Sequence, residues 1–318
     1  MSSLDGAPDA PQTAGREARV SRTADRETWL AQASAAAFAR RAKLENFPVA
    51  SRVLSPMLRA DLGGVYAVAR LVDEAGDAAP GDRLALLDDL DVEIDRLAEG
   101  ESRFPAFGML VPAVRERGLD PSPFHGLVQA NRLDQSVSRY ETFEDLRGYC
   151  RLSADPVGRL VLDLFGLLTP ERVRLSDQIC TALQIAEHLQ DVGEDFAAGR
   201  IYLPQESLAR FEVAEATIGA LADSLTATVV TAAERARVSG LLVAEARRAR
   251  GLMRAGAPLV GLVPGRMRVA IAGFVGGGQA ALDAVVSAGS SAVTTTPRAR
   301  PTRLLRHLVT ALVTGGRR

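Results

Sequence analysis

The sequence predicts an all-α protein, a single large helical bundle, on three observations. From Glu27 onward apolar residues recur at three- and four-residue spacings, the period of a helix. No stretch of useful length alternates apolar and polar residues as a half-buried strand does. The interruptions fall on proline and glycine punctuation, at Pro48, Pro56, Gly76–Pro80, Gly118–Pro123, Asp155-Pro156, Thr169-Pro170 and Gly256–Pro264. Between those breaks the pattern places helices at roughly 27–43, 62–77, 82–99, 104–117, 122–138, 142–153, 155–167, 170–196, 205–222, 224–255 and 264–288.

The ends read differently. Residues 1–26 are rich in Ala, Pro, Ser and charge and carry no apolar run of a secretory signal, so they read as a disordered lead-in. Residues 27–288 form the helical domain, and 289–318 a flexible linker ("AGSSAVTTTPRARPT") followed by "RLLRHLVTALVTGGRR". That last stretch has two readings. It is a frayed terminal helix, or a membrane-surface anchor in which basic residues flank Leu304, Leu305, Leu308, Val309 and Leu312.

Composition excludes several classes. With 318 residues, 47% of them hydrophobic, the chain has enough apolar surface for one large core or two fused halves. The balance of 38 basic against 39 acidic residues gives no signal for nucleic acid as a partner. Two cysteines, Cys150 and Cys180, read as reduced core thiols, and three scattered histidines argue against a zinc site. No uncharged apolar run reaches the ~18–20 residues of a membrane-spanning helix. The expectation is a cytoplasmic protein, peripheral at the inner face of the membrane if the tail is an anchor.

Chemistry is concentrated on two helices. On the helix at 170–196, Ile185, Leu189, Val192 and Phe196 form an apolar stripe; Gln184, His188, Asp191 and Asp195 repeat the same spacing one residue earlier. The helix at 62–77 repeats the device, with Leu62, Val65, Ala69 and Val72 apolar and Tyr66, Arg70, Asp73 and Asp77 polar, Glu74 adding a carboxylate. One charged stripe is ordinarily a solvated face. Two matched stripes that each end in Asp-x-x-x-Asp set like charges four residues apart, which repel by ~0.2–0.5 kcal/mol on an exposed helix. Facing carboxylates at a half-buried site need cations, and hard divalent ions such as magnesium bind through one or two carboxylates while keeping waters and substrate phosphates. Arg70 and Arg200 would add bidentate donors to phosphate oxygens. "FVGGGQAAL" (274–282) lacks the lysine and preceding strand of a nucleotide-binding loop, so its glycines read as close helix packing.

These residues resemble the squalene/phytoene synthase family, whose members join or rearrange isoprenoid diphosphates. "YAVARLVDEAGD" (66–77) is similar to the family's Tyr-x-x-x-Arg-x-x-Asp-Asp-x-x-Asp, with Glu74 in place of the second Asp. "QIAEHLQDVGED" (184–195) and "GRIYLP" (199–204) resemble its second motif, with Glu187 where Asn is usual. "YCRLSADPVG" (149–158) and "GGGQAALDAV" (276–285) match two further motifs, so the resemblance runs over roughly 30–288. "ENFPVASRVL" (45–54), Gln190 in place of the usual Arg, and the run 132–158 are similar to the C-type hydroxysqualene synthases of hopanoid biosynthesis.

The resemblance implies an isoprenoid-synthase-type bundle with a central cavity. It implies an enzyme in which Mg2+, held by Asp73, Glu74, Asp77, Glu187, Asp191 and Asp195, bridges the diphosphate of the substrate. Phe47, Arg70, Gln184, Arg200 and Tyr202 would bind substrate; of the catalytic set, Tyr149 and Tyr66 would line the cavity near the reacting carbons and Arg70 would assist the departure of diphosphate. The reaction implied is ionisation of presqualene diphosphate and capture by water, with no NADPH. Other hopanoid-pathway enzymes are the partners implied. Two alternatives stay open: head-to-head synthesis of presqualene diphosphate, squalene or phytoene, and a non-catalytic protein that binds polyprenyl diphosphates. Loss of the motif Asp or Arg residues would favour the last, and they are present.

Overall fold

The computed structural model describes residues 10–40, 55–223 and 225–315, and for 10–22 the backbone alone. Phe47 with the whole of "ENFPVASRVL", and the first nine residues, lie outside them. Among the described residues the chain is helical throughout, its sole β-bridge pairing Arg139 with Ile201.

The helices that build the bundle are α1 (Ala10–Arg40), α2 (Pro56–Asp77), α3 (Arg83–Ala98), α4 (Phe124–Leu133), α5 (Phe143–Ser153), α6 (Asp155–Leu164), α7 (Pro170–Gln190), α8 (Val192–Ala197), α9 (Glu215–Ala222), α10 (Ala232–Gly256), α11 (Gly265–Ala288), α12 (Ser291–Thr294) and α13 (Pro301–Thr314). One- and two-turn helices fill Pro105–Gly108, Val111–Arg117 and Gln205–Arg210.

Punctuation acts through capping. Ser55 accepts from Leu58 N–H with Pro56 at the first helical position, so α2 begins a turn and a half before its apolar pattern. Thr169 caps α7 ahead of Pro170, and Thr231 with Glu234 makes a reciprocal capping box that starts α10 at Ala232 rather than at 224.

The structure differs from the sequence reading in three places. The expected helix 170–196 breaks at Asp191, which sits at φ −107°, ψ 18°. The lead-in helix α1 starts at Ala10, inside the stretch read as disordered; its Ala, Arg and Glu content is high in helix propensity. The expected flexible linker is instead the packed turn α12 and an extended stretch, with Ala292 and Val293 buried.

The core has three connected parts. α1, α2, α3 and α4 close over Leu30, Leu71, Leu87, Leu90 and Phe124. α5, α7, α8, α9 and α10 close over Tyr149, Leu189, Val192, Leu241 and Leu242. The third part joins α6, α7, α10, α11 and α13 around Ile179, Met253, Ile271 and Val275. The glycines of α11 serve close packing: a Cβ at Gly276 would stand 2.7 Å from the Leu308 nitrogen, and one at Gly278 would stand 2.4 Å from Met253 Cε. α11 is long and apolar enough to cross a membrane, but half of that stretch is buried within the fold.

Candidate active site

The two polar stripes meet. α2 brings Arg70, Asp73 and Asp77 to one side of a polar basin, and α7 with α8 brings Gln184, Glu187, His188, Asp191 and Asp195 to the other. The end of α4 contributes Asn131 and Asp134, α5 contributes Tyr149, and the loop after α8 contributes Arg200 and Tyr202.

Local backbone makes this possible. Gly199 takes φ +82°, a turn that suits glycine, and Arg200 N–H returns to the Asp195 carbonyl at 2.8 Å. The next residues run beside 138–141, with Ile201 N–H donating to the Ser138 carbonyl and Gln205 N–H to the Tyr140 carbonyl. That path carries Arg200 across the basin, where its Nη1 donates to Asp77 Oδ1 at 2.8 Å. Gly76 lets α4 approach α2: a Cβ there would lie 2.0 Å from Asn131 Oδ1.

Asp134 organises the aromatic wall. Tyr149 donates its hydroxyl to Asp134 Oδ2 at 2.8 Å and Tyr202 donates to Oδ1 at 3.0 Å. The His188 ring stacks on Tyr202 with centroids 3.7 Å apart, and Tyr140 and Tyr149 pack against the same ring at 5.7 and 5.4 Å. His188 also reaches Gln184 at 3.2 Å and Asp195 at 3.4 Å. Burial pushes the Asp134 carboxyl up, and the two tyrosine hydroxyls and Arg200 pull it back. Burial likewise raises Tyr149 and Tyr202, so both stay protonated donors.

Beside the basin lies an apolar compartment lined by Leu62, Val157, Phe165, Ile179, Leu183, Ile271 and Phe274. Ser153, Gln184 and Glu187 line both, so the two spaces share a border. Cys180, expected as a core thiol, lines this compartment's wall, whereas Cys150 is fully buried.

The charge of the basin identifies what it fits. Six carboxylates (Asp73, Asp77, Asp134, Glu187, Asp191, Asp195) face two guanidiniums, Arg70 and Arg200. Burial, reinforced by Glu194, Glu187 and Asp195, pushes Asp191 up to about 6. Asp73 moves in the same direction through the crowding of protein around it, with Asp77 and Glu187 adding to it, although its surface is open to the basin's water. An all-oxygen set with excess negative charge fits hard divalent cations. Among the described residues no three of these groups converge into a closed ion site. Magnesium is the hard ion that commonly binds through one or two carboxylates and keeps waters and substrate phosphates. The Nε of Arg200 is buried without a hydrogen-bond partner, a donor left over for an anion.

Two residues of the motifs stay out of the basin. Glu74 turns back to Arg70, Nε to Oε1 at 3.7 Å, because it lies about 100° round the helix from Asp73. Tyr66 is half-buried on the same stripe, between Leu62 and Arg70, and lines neither compartment; long side chains on a helix lean towards its N-terminal turn. Sequence reading missed Asn131 and Asp134. The signal available was their place in "NRLDQ", three residues apart at the end of a helix, which carries no motif by itself.

The family model described as squalene/phytoene synthase matches residues 40–305. A hydroxysqualene synthase of Sinorhizobium fredii (strain NBRC 101917 / NGR234) is 37% identical over 185 residues, 57% of this chain and 62% of its own. One of Zymomonas mobilis is 40% identical over 186 residues, 56% of this chain and 59% of its own. The match thus spans about three fifths of the length of these curated relatives. The crystal structure of squalene synthase HpnC from Alicyclobacillus acidocaldarius superposes with TM-score 0.70 at 40% identity, covering 82% of this chain and 96% of that one. A dehydrosqualene synthase solved with a ligand shares the fold, with TM-score 0.73 at 22% identity, over 90% of this chain and 97% of its own. With the family model covering most of the chain and both polar stripes facing one basin, the chain belongs to the squalene/phytoene synthase family.

Proposed function

We propose that the protein is a magnesium-dependent hydroxysqualene synthase, which ionises presqualene diphosphate and adds water to the rearranged cation. The observation that carries this reading is the shared border between a carboxylate basin and an apolar compartment. A diphosphate head and a hydrocarbon tail need those two environments side by side. The hydroxysqualene synthases among the relatives, at 37% and 40% identity, support the choice of reaction.

Magnesium bound between Asp73 and Asp77 on one side and Asp191 and Asp195 on the other would supply the Lewis acid that makes diphosphate a leaving group. Arg70 and Arg200 donate to its non-bridging oxygens. The C–O bond breaks with its electron pair on the diphosphate, and the cyclopropylcarbinyl cation is held in the apolar compartment while water is excluded. At the border the electron-rich ring of Tyr149 steadies the charge by ~0.5–2 kcal/mol. Water at the border, hydrogen-bonded to Gln184 and Tyr149, attacks the cation. Its proton leaves through the Tyr149 hydroxyl to Asp134.

Contact with a membrane belongs to the same reading. From Ala246 to Arg318 the chain has twelve arginines, no lysine and one carboxylate, Asp283. On α13, Leu305, Val309 and Val313 are 61%, 50% and 56% exposed on one face, beside Arg306. An apolar stripe with a basic surround fits an anionic lipid surface, where each arginine contributes ~1 kcal/mol.

The test offers farnesyl, geranylgeranyl and presqualene diphosphates separately, with magnesium, and identifies products by mass spectrometry. Hydroxysqualene from presqualene diphosphate supports the reading; condensation of farnesyl or geranylgeranyl diphosphate, with presqualene diphosphate untouched, overturns it.

A further inference from the structure

The turn that carries Asp191 and Asp195 is gripped from outside by the chain's own C-terminal stretch. The Gln190 side-chain amide donates to the Pro297 carbonyl at 2.6 Å, and the Thr296 hydroxyl donates to Glu194 Oε1 at 3.0 Å. Between these contacts the strap passes so close over Gly193 that a Cβ there would stand 2.1 Å from the Val293 carbonyl oxygen. Residues 190, 193 and 194 thus face the strap, while 191 and 195 line the basin.

The strap is itself anchored. Ala292 and Val293 are buried in the same core part as Leu189 and Val192. Thr294 donates to the Leu221 carbonyl at 2.9 Å, and Ser290 N–H donates to Ser239 Oγ at 2.8 Å. The helix under it is discontinuous, because Asp191 is at once the C-cap of α7 and the N-cap of α8. Asp195 N–H still donates to the Asp191 carbonyl at 2.8 Å, but among the described residues no backbone bond runs from 192–194 back to 188–190, as a continuous helix would have. Across a break, the angle of α8 depends on what packs against it, and here the strap spans the break from Gln190 to Glu194.

We propose that residues 293–297 are a positioning element for the second carboxylate row, with Gln190, Gly193 and Thr296 as positioning residues that act through Asp191 and Asp195. The proposal rests on reading the basin as a magnesium–diphosphate site. Partners that orient metal ligands from behind cost about 10–100-fold in metal affinity or activity when they are lost.

The test compares full-length wild type, Gly193→Ala, the double variant Gln190→Leu/Thr296→Val, and Thr296→Ser, which keeps the hydroxyl. Mn2+ binding in the presence of inorganic diphosphate is read by electron paramagnetic resonance, next to the magnesium dependence of turnover and the helical circular-dichroism signal. Gly193→Ala and the double variant should bind Mn2+ about tenfold more weakly or worse, and need correspondingly more magnesium for half-maximal rate. Their kcat at saturating magnesium should stay within about threefold of wild type, and Thr296→Ser should match wild type. Unchanged Mn2+ affinity in the double variant overturns the proposal. So does Gly193→Ala that melts higher with unchanged affinity, since alanine is the better helix former wherever nothing lies over it. If wild type binds no Mn2+ under these conditions, the reading of the basin fails and takes the proposal with it.

Discussion

Tyr149 and Asp134, fifteen residues apart, are joined by a 2.8 Å hydrogen bond in which the phenol donates to the carboxylate. The other oxygen of Asp134 accepts from Tyr202, 68 residues away, so one half-buried acid ties α4, α5 and the loop after α8 into one wall. A shared acceptor makes the three side chains one unit. Asp134→Asn should lower turnover by ~10²-fold or more, in the range of general acid–base groups, with the fold intact. Tyr149→Phe should do the same, and the double variant should be little worse than either single one. Steady-state rates of diphosphate release check this; fully multiplicative losses would contradict it.

Removing a basin carboxylate should abolish function without harming the fold. Asp77→Asn and Asp191→Asn are each expected to cut turnover by orders of magnitude, since each takes a ligand from a site where like charges otherwise repel. Melting temperatures should hold or rise. EDTA should stop diphosphate release in wild type and magnesium should restore it.

The buried acid outside the basin gives a pH signature. Burial, with Asp177 nearby, pushes Asp155 up to about 7, while the Thr181 hydroxyl and Arg159 pull it back. A carboxyl raised in the folded state holds its proton more tightly there than in the unfolded chain. Stability attributable to it therefore falls as pH rises from 3.8 towards 7 and is flat beyond. Asp155→Asn keeps the shape and the Thr181 contact, so its gain in melting temperature should be larger at pH 8 than at pH 5. Equal gains would contradict this assignment.

Gly76→Ala should destabilise by ~1–3 kcal/mol through overpacking against Asn131, against the gain alanine normally brings to a helix. Thermal melts read the sign directly.

Replacing Leu305, Val309 and Val313 together by serine should reduce sedimentation with phosphatidylglycerol vesicles while leaving soluble-substrate rates unchanged. Binding by wild type should weaken steeply with added salt. Equal sedimentation of variant and wild type would remove α13 from the membrane reading.

How far the sequence could be read follows from what each feature depends on. Helix periods and caps are local, so Thr169-Pro170 and the stripes on α2 and α7 were legible from spacing alone. The break at Asp191 was not, because it is coupled to a strap a hundred residues later. Asp134 was missed for the same reason: its partners come from α5 and the loop after α8, and a lone Asp at a helix end has no period. Glu74 and Tyr66 were placed by stripe spacing as well as by motif resemblance, yet Glu74 turns back to Arg70 and Tyr66 lines neither compartment. The 289–297 stretch looked flexible from its Ser, Thr and Gly, while its order comes from Ala292 and Val293 packing into a distant core.

The central claim is that water ends the reaction at the border between basin and apolar compartment. The direct measurement is incubation of the protein with presqualene diphosphate and magnesium in 18O-labelled water, without NADPH, and mass spectrometry of the product. The account predicts hydroxysqualene carrying one 18O. Squalene formed only when NADPH is added, or an alcohol without the label, would contradict it.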